Sequence, residues 1–475
     1  VVAAALIAVV AAGVGVWILT GTAGQESRRH VVVGGVPLDE VHPAGARAGD
    51  RRAGVVVAHG FAGSARLMAQ FGDTLAARGY VVVLLDFSGH GTNTRPLPDG
   101  TASTDTSARA LDHDLDVAMT HLRGLPGVDP NRVALVGHSM GATAVTRYAV
   151  AHPEVTATVA ISLPDSSYLP GIRPPGRETA LRTESEALPA DRPARLLLLV
   201  GGLEFPAFRI AADDAVERGA GRSAVFVPGV EHISILFAPR THSEVVGWLD
   251  KAFNGPVEDG PIPLPFRRLG AAGLLLLALL VGLYPVARIL LGGGSARWPR
   301  LALPAVGRIV AVGAAAVLAV LVAPIAPTMN LPLALGGYVV GFTTTAGLAM
   351  LVYHRWRGRT RPASAPIARP GRLRLAVVAP VLIAYAAVTM AVPLQLGLTN
   401  AVPVGARWWL LAVVWAGFAV LAYGAECVAG GNSLGVLAIS AVAVMAMTCA
   451  AVVGLASTFL LLVVPLFAVL LLWQA

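Results

Sequence analysis

RVALVGHSMGATAV, residues 132–145, decides the fold. It opens on an apolar, β-branched run, Arg132 to Gly137, and continues beyond Gly141 in a helical pattern. Between them lies Gly137-His138-Ser139-Met140-Gly141, the G-x-S-x-G spacing. A strand that turns into a helix within so few residues holds its central serine in a strained conformation with Oγ projecting. The same turn sets the serine at a helix N-terminus, where exposed N–H groups meet developing negative charge. Glycine suits positions 137 and 141 because a Cβ there would collide with the turn or with the helix behind it. The pentapeptide alone is a weak signal that also fits a purely structural turn; its strand–turn–helix setting makes Ser139 the expected nucleophile.

Working outward, VVVAH (55–59), YVVVLLD (80–86), TATVAIS (156–162), RLLLLVG (195–201) and SAVFVPG (223–229) read, with 132–137, as buried strands. Their near-continuous apolar character suits a parallel sheet covered on both faces. Helical patterns over 64–78, 105–124, 140–151, 208–219 and 241–254 alternate with them, which predicts an α/β domain. HVVVGGVPL (30–38) predicts an edge strand or hairpin before the core. The Pro-, Gly- and Ser-rich stretch 163–194, with Tyr168, is too long for an ordinary connection and is expected to form a short cap; a plain surface excursion is the competing reading.

Acyl transfer from a serine requires a base, an acid that orients it, and two donors for the tetrahedral oxygen. The N–H of Met140, the residue after the nucleophile, is one expected donor; His59-Gly60-Phe61 at an earlier strand exit supplies the Phe61 N–H as the other, with Ser64 as N-cap of the next helix. His59 itself reads as structural. His232, after the last strand, is the expected base, with His242 as runner-up. Glu204, at the C-terminal end of its strand, is the expected acid, ahead of Asp165 and of Asp213 and Asp214 on a helix.

These motifs together resemble the α/β-hydrolase superfamily, within it the serine aminopeptidase and monoacylglycerol-lipase-like esterase group, over about residues 30–255. His59-Gly60-Phe61 resembles the family's oxyanion motif, Asp86-Phe87-Ser88-Gly89-His90-Gly91 its D-x-x-G-H-G turn, and residues 137–141 its nucleophile elbow. Glu204 and His232 match the acid and histidine in the chain order serine, acid, histidine; most relatives carry Asp where this chain has Glu204. The resemblance implies a mainly parallel eight-stranded sheet and two-step hydrolysis of an ester or amide through an acyl-enzyme, with no cofactor.

The remainder of the chain is membrane-like. Of 475 residues 55% are hydrophobic and only 13% charged, with mean hydropathy +0.67; soluble domains carry about 25% charged residues. Residues 1–20 are continuously apolar, long enough to cross a core of about 30 Å at about 1.5 Å per residue. They are expected to be a retained anchor; a cleaved signal is the competing reading, and no basic segment or initiator Met precedes them. Pro261, Pro263 and Pro265 stiffen a linker into seven apolar segments, 270–291, 303–324, 333–353, 374–396, 407–426, 433–452 and 455–474, of which the last two nearly merge so that six remains open. The expected organisation is thus an N-terminal span (1–24), an α/β-hydrolase domain (25–260) and an all-α membrane domain (261–475).

Through residue 260 there are 22 Lys and Arg against 27 Asp and Glu, net −5; beyond it 14 Arg face only Glu426, net +13. The basic character belongs to the membrane half and argues for lipid rather than nucleic acid as partner. The 354–374 loop carries seven arginines and no acid, so it is expected in the cytoplasm, as is the 292–302 loop with Arg297 and Arg300. Counting spans back from them puts the hydrolase domain outside; Arg267 and Arg268 before the second span weigh against this. The two cysteines, Cys427 and Cys449, lie in the membrane half, so no disulfide frames the hydrolase domain and the redox compartment is unreadable. His113 and His121 with Asp112, Asp114 and Asp116 read as one solvated helix face rather than a metal site. The expected substrate is a small-molecule or lipidic acyl compound near the bilayer. A transporter or membrane scaffold with a hydrolase-like binding module is the alternative; Arg288, Arg308 and Glu426 form no obvious relay for it.

Overall fold

The computed structural model describes residues 1–20, 26–98, 105–164, 188–254, 261–291, 306–333, 335–358, 372–430, 432–457, 460, 461 and 464. Asp165, Tyr168, most of the expected cap and most of the 455–474 segment lie outside the described residues.

After helix α1 (Val2–Thr20) the chain forms strands β1 (Ser27–Val33), β2 (Val36–His42) and β3 (Arg52–Ala58), then a short 3-10 turn at Ala65–Met68 leading into α2 (Ala69–Ala77). There follow β4 (Val81–Leu85), α3 (Asp105–Gly124), β5 (Val128–His138), α4 (Met140–Ala151), β6 (Ala157–Ile161), β7 (Leu196–Gly201), α5 (Pro206–Glu217), β8 (Arg222–Val227) and α6 (Pro239–Ala252). The eight strands form one sheet in the order β1-β2-β4-β3-β5-β6-β7-β8. The pairs β1/β2 and β2/β4 are antiparallel and all others parallel. The segment at 30–38 is a hairpin: Val33 pairs with Val36 across Gly34-Gly35, whose φ values of 54° and 79° fit a tight two-residue turn.

The apolar runs of the central strands are continuous because both faces are covered. Val82 and Leu84 of β4 pack with Phe71 and Leu75 of α2 and with Val245 and Leu249 of α6. Val81, Val83 and Leu85, pointing the other way by the period of two, pack with Leu115 and Met119 of α3 and Val145 of α4. The parallel strands end together, so the loops after β3, β5 and β7 open on one edge of the sheet, where functional groups of such sheets gather.

The apolar helices beyond the sheet are α7 (Arg267–Leu291), α8 (Val306–Val322), α9 (Gly336–Gly358), α10 (Arg372–Gly397), α11 (Trp408–Ala429) and α12 (Ser433–Val452). With α1 they give seven membrane-length apolar helices among the described residues, so the chain is a multi-pass membrane protein.

The chain divides into two compact units. The first holds the α/β domain together with α1, most of α7 and the end of α10, within Val1–Leu169, Thr179–Pro285 and Tyr385–Val404. There α1 and α7 run antiparallel: a Cβ on Gly15 would lie 3.1 Å from Leu275 and 3.2 Å from Ala271, and one on Gly282 would lie 3.6 Å from Ala8. Small residues let such backbones approach. The Tyr385 hydroxyl of α10 donates to the Leu279 carbonyl of α7 at 2.6 Å. In the second unit α8, α9, α11 and α12 share a core that includes Ala319, Phe342, Ala425 and Ala443.

Basic residues that flank the first two spans converge on one buried carboxylate. Arg267 and Arg268, at the start of α7, lie 3.4 and 3.2 Å from Asp73 of α2, and Arg28 of β1 contacts the other oxygen of the same carboxylate. Arg28 is also 3.5 Å from Glu26. Burial pulls the Arg28 pKa down to about 10, which leaves it charged at neutral pH.

Candidate active site

The β5–α4 turn is built by close approach. A Cβ on Gly137 would sit 2.3 Å from the Gly141 carbonyl oxygen, and one on Gly141 would sit 2.5 Å from that of His59. With both side chains absent, α4 abuts the end of β3 and Ser139 occupies φ 53°, ψ −117°, a strained region for a non-glycine residue. Ser139 is 5% exposed.

Residues from three strand ends meet there. His232 Nε2 lies 3.1 Å from Ser139 Oγ, and His232 Nδ1 lies 2.6 Å from Glu204 Oε1. The other Glu204 oxygen accepts the Gly201 N–H at 2.7 Å, and the side chain is 1% exposed. The carboxylate therefore fixes the Nδ1–H tautomer and leaves Nε2 free to accept the serine proton. Met140 is the first residue of α4, so its N–H has no carbonyl one turn earlier in the helix to bond.

The loop after β3 carries Phe61. His59 spends both ring nitrogens on backbone: Nδ1–H donates to Gly60 O at 2.7 Å and Nε2 accepts the Phe87 N–H at 3.1 Å. It ties this loop to the Asp86 turn, whose carboxylate accepts from Ala65 N–H, Thr92 N–H and the Thr92 hydroxyl at 2.6–2.7 Å. Between these anchors Ala62 has φ 59°, a left-handed conformation that costs a non-glycine residue about 1–2 kcal/mol.

The other sequence candidates fall elsewhere. His242 is fully buried against Phe71, with Nδ1 2.8 Å from Thr74 Oγ1 and Nε2 donating to the Leu236 carbonyl at 2.9 Å, so neither nitrogen serves Ser139. Asp213 and Asp214 are exposed on α5, Asp214 pairing with Arg218. The solvated-face reading of α3 holds at His113 and Asp116, which are exposed, and is corrected at Asp114, which is fully buried, accepting the Ser88 N–H at 2.7 Å and pairing with Arg95. Asp112 pairs with Arg147, Asp116 accepts from the Tyr148 hydroxyl, and His121 meets buried Glu40. Their partners sit on α4, β2 and a distant loop, which a helical pattern alone does not reveal.

The sequence gives His138 no role beyond its place in the elbow. Its Nε2–H donates to the His232 carbonyl at 2.9 Å, and its ring lies 4.8 Å from that of His232. Full burial pushes its pKa well below the ordinary imidazole range, so it is neutral and holds the His232 backbone without adding charge. Phe208 of α5 closes the other side of the His232 ring at 5.0 Å.

Among known proteins, the family model described as "Serine aminopeptidase, S33" matches residues 49–194, which contain the nucleophile elbow and both expected oxyanion donors and end before Glu204 and His232. No curated protein matches significantly. Among solved structures, a hypothetical protein of Pseudomonas aeruginosa is 14% identical over 48% of this chain and 94% of its own, with TM-score 0.40. A membrane phospholipase A described as a bacterial virulence factor is 17% identical over 53% and 93%, with TM-score 0.38. An esterase of Pyrococcus furiosus is 18% identical over 48% and 92%, with TM-score 0.35.

Proposed function

From the premise that this chain carries an α/β-hydrolase-superfamily domain of the serine-hydrolase type, fused to membrane-length helices, we propose that it cleaves a carboxylic ester or amide at Ser139 through an acyl-enzyme. The observation that carries this reading is the unbroken hydrogen-bonded line Ser139–His232–Glu204. His232 Nε2 takes the Ser139 proton as Oγ attacks the acyl carbon, and Glu204 stabilises the imidazolium. The Phe61 and Met140 N–H groups hold the oxyanion. His232 then passes its proton to the leaving alcohol or amine; water, deprotonated by His232, attacks the acyl-enzyme, and His232 returns that proton to Ser139 Oγ as the acyl–oxygen bond breaks and the acid leaves.

A membrane-proximal, lipidic substrate is supported by the attachment of the domain to α7 through Asp73 and by two exposed apolar side chains, Leu203 and Phe205, on either side of Glu204. An extracytoplasmic site is supported by the arginine-rich 354–374 loop. Arg267 and Arg268 before α7 remain the opposing signal, since the rule counts arginines and a nearby carboxylate offsets them little.

The test is activity-based labelling of the full-length protein in detergent or bilayer discs, followed by a panel of monoacyl lipid esters in mixed micelles, short soluble esters and peptide amides. Wild type is expected to react with a fluorophosphonate and Ser139→Ala to lose both labelling and turnover. Turnover retained by Ser139→Ala would end the proposal; a preference for peptide amides would end its lipidic part.

A further inference from the structure

The segment that follows the oxyanion loop is held from outside the α/β domain. Ser64 caps the 3-10 turn at Ala65–Met68, accepting the Leu67 N–H at 3.4 Å, and is fully buried. Its hydroxyl lies 2.9 Å from that of Thr399, in the loop that leaves α10. Two residues on, Arg66 Nε donates to Asn400 Oδ1 at 3.2 Å. The receiving loop is itself braced: Gln395 donates to the same Asn400 oxygen at 3.3 Å and accepts the Ala401 and Val402 N–H groups at 2.8 and 3.0 Å. Leu398 packs on the core beneath α2, and a Cβ on Gly397 would lie 2.5 Å from Ala272, so the end of α10 is wedged against α7.

We propose that Thr399 and Asn400, at the end of a membrane helix, are positioning residues for the Phe61 oxyanion donor. This rests on the proposed role of Phe61. The loop Gly60–Gly63 contains a left-handed alanine and is closed on itself by the Gly63 N–H donating to the Gly60 carbonyl at 3.0 Å, so where it stands depends on how its two ends are held. His59 fixes the upstream end by its two ring bonds. The downstream end is fixed by Asp86 at Ala65, within the domain, and by Thr399 and Asn400 at Ser64 and Arg66, from more than 330 residues away in sequence. An oxyanion donor acts only within a few tenths of an ångström of its proper place, because its hydrogen bond must strengthen as the transition state forms. The membrane region thereby contributes to turnover without touching substrate.

Full-length Thr399→Val and Thr399→Val/Asn400→Ala are compared with Thr399→Ser, Tyr385→Phe and Ser139→Ala, with active sites counted by fluorophosphonate titration so that only folded enzyme is scored. Loss of one oxyanion donor costs about 10²–10³ in kcat, and loosening one is expected to cost roughly tenfold. The expected result is that fall in kcat for the double variant with KM unchanged, an equal fall in affinity for a trifluoromethyl ketone transition-state analogue, and near-complete rescue in Thr399→Ser. Tyr385→Phe, which loses the α7–α10 bond elsewhere, keeps wild-type kcat. A double variant with wild-type kcat, or an equal loss in Tyr385→Phe, overturns the inference. Failure of Ser139→Ala to abolish turnover would instead overturn the catalytic reading beneath it.

Discussion

Replacing Glu204 by Gln changes no shape and removes one acceptor. The Glu204 carboxylate uses one oxygen on the His232 Nδ1–H at 2.6 Å and the other on the Gly201 N–H at 2.7 Å, with its side chain 1% exposed, so water cannot substitute for either. Glutamine offers a single oxygen and an NH2 group. If the oxygen serves Gly201, the NH2 donates to His232 Nδ1 and the ring proton moves to Nε2, 3.1 Å from Ser139 Oγ, where it blocks proton transfer. If the oxygen serves His232, two buried donors oppose each other at Gly201, at about 1–3 kcal/mol. The first arrangement is preferred, and the imidazolium also loses its counter-charge. Loss of the same function in serine triads costs about 10⁴ in kcat, or about 5.5 kcal/mol at about 1.36 kcal/mol per decade. Glu204→Asp draws the carboxylate back by about 1.5 Å, the length of one C–C bond, beyond hydrogen-bond reach of His232, so an intermediate loss of about 10² is expected. Steady-state hydrolysis of a short ester, normalised to titrated active sites, measures both. A Glu204→Gln enzyme within tenfold of wild-type kcat would refute the assignment and turn attention to Asp165.

Gly141→Ala places a methyl 2.5 Å from the His59 carbonyl and 2.6 Å from that of Ala58. It should destabilise the domain by about 1–3 kcal/mol, lowering Tm by about 2–4 °C per kcal/mol, and reduce kcat in whatever folds, because Met140 moves with α4; a thermal melt unchanged from wild type would contradict the packing. His242 should make stability acid-sensitive. Burial holds its pKa at about 4, whereas the unfolded chain takes up the proton near the ordinary value of 6.5. Below that value the unfolded state binds more protons, so stability is complete above about pH 6.5 and falls by about 2–3 kcal/mol towards pH 4.5. Denaturation at pH 7 and pH 4.5 measures the fall, and His242→Gln should remove its own share of it while leaving the share of the same sign that buried His59 and His138 contribute.

Local signals were enough wherever the chain's own neighbours set the outcome. The apolar run of β4 and the patterns over 105–124 and 140–151 describe β4, α3 and α4 because burial on known faces repeats with the element's own period. The elbow is legible because strand, two glycines and helix are contiguous. Asp114 departs from a solvated face because a carboxylate at a polar-looking position finds Ser88 and Arg95 only once the sheet has brought the β4 loop beside α3. Likewise His138 gives no sign in sequence that its ring nitrogen will meet the His232 carbonyl 94 residues on. Thr399 and Asn400 are farther still, in a polar interval between two apolar segments that reads as an ordinary loop.

The convergence of Arg28, Arg267 and Arg268 on Asp73 means that the path into the α/β domain and the path out of it meet at one side chain. With α1 and α7 already packed antiparallel through Gly15 and Gly282, the enzyme is threaded into the turn of a helical hairpin. Such an arrangement suits modular exchange: a cassette whose two ends coincide can be excised, or traded for another of different size, while the hairpin that carries it keeps its own contacts.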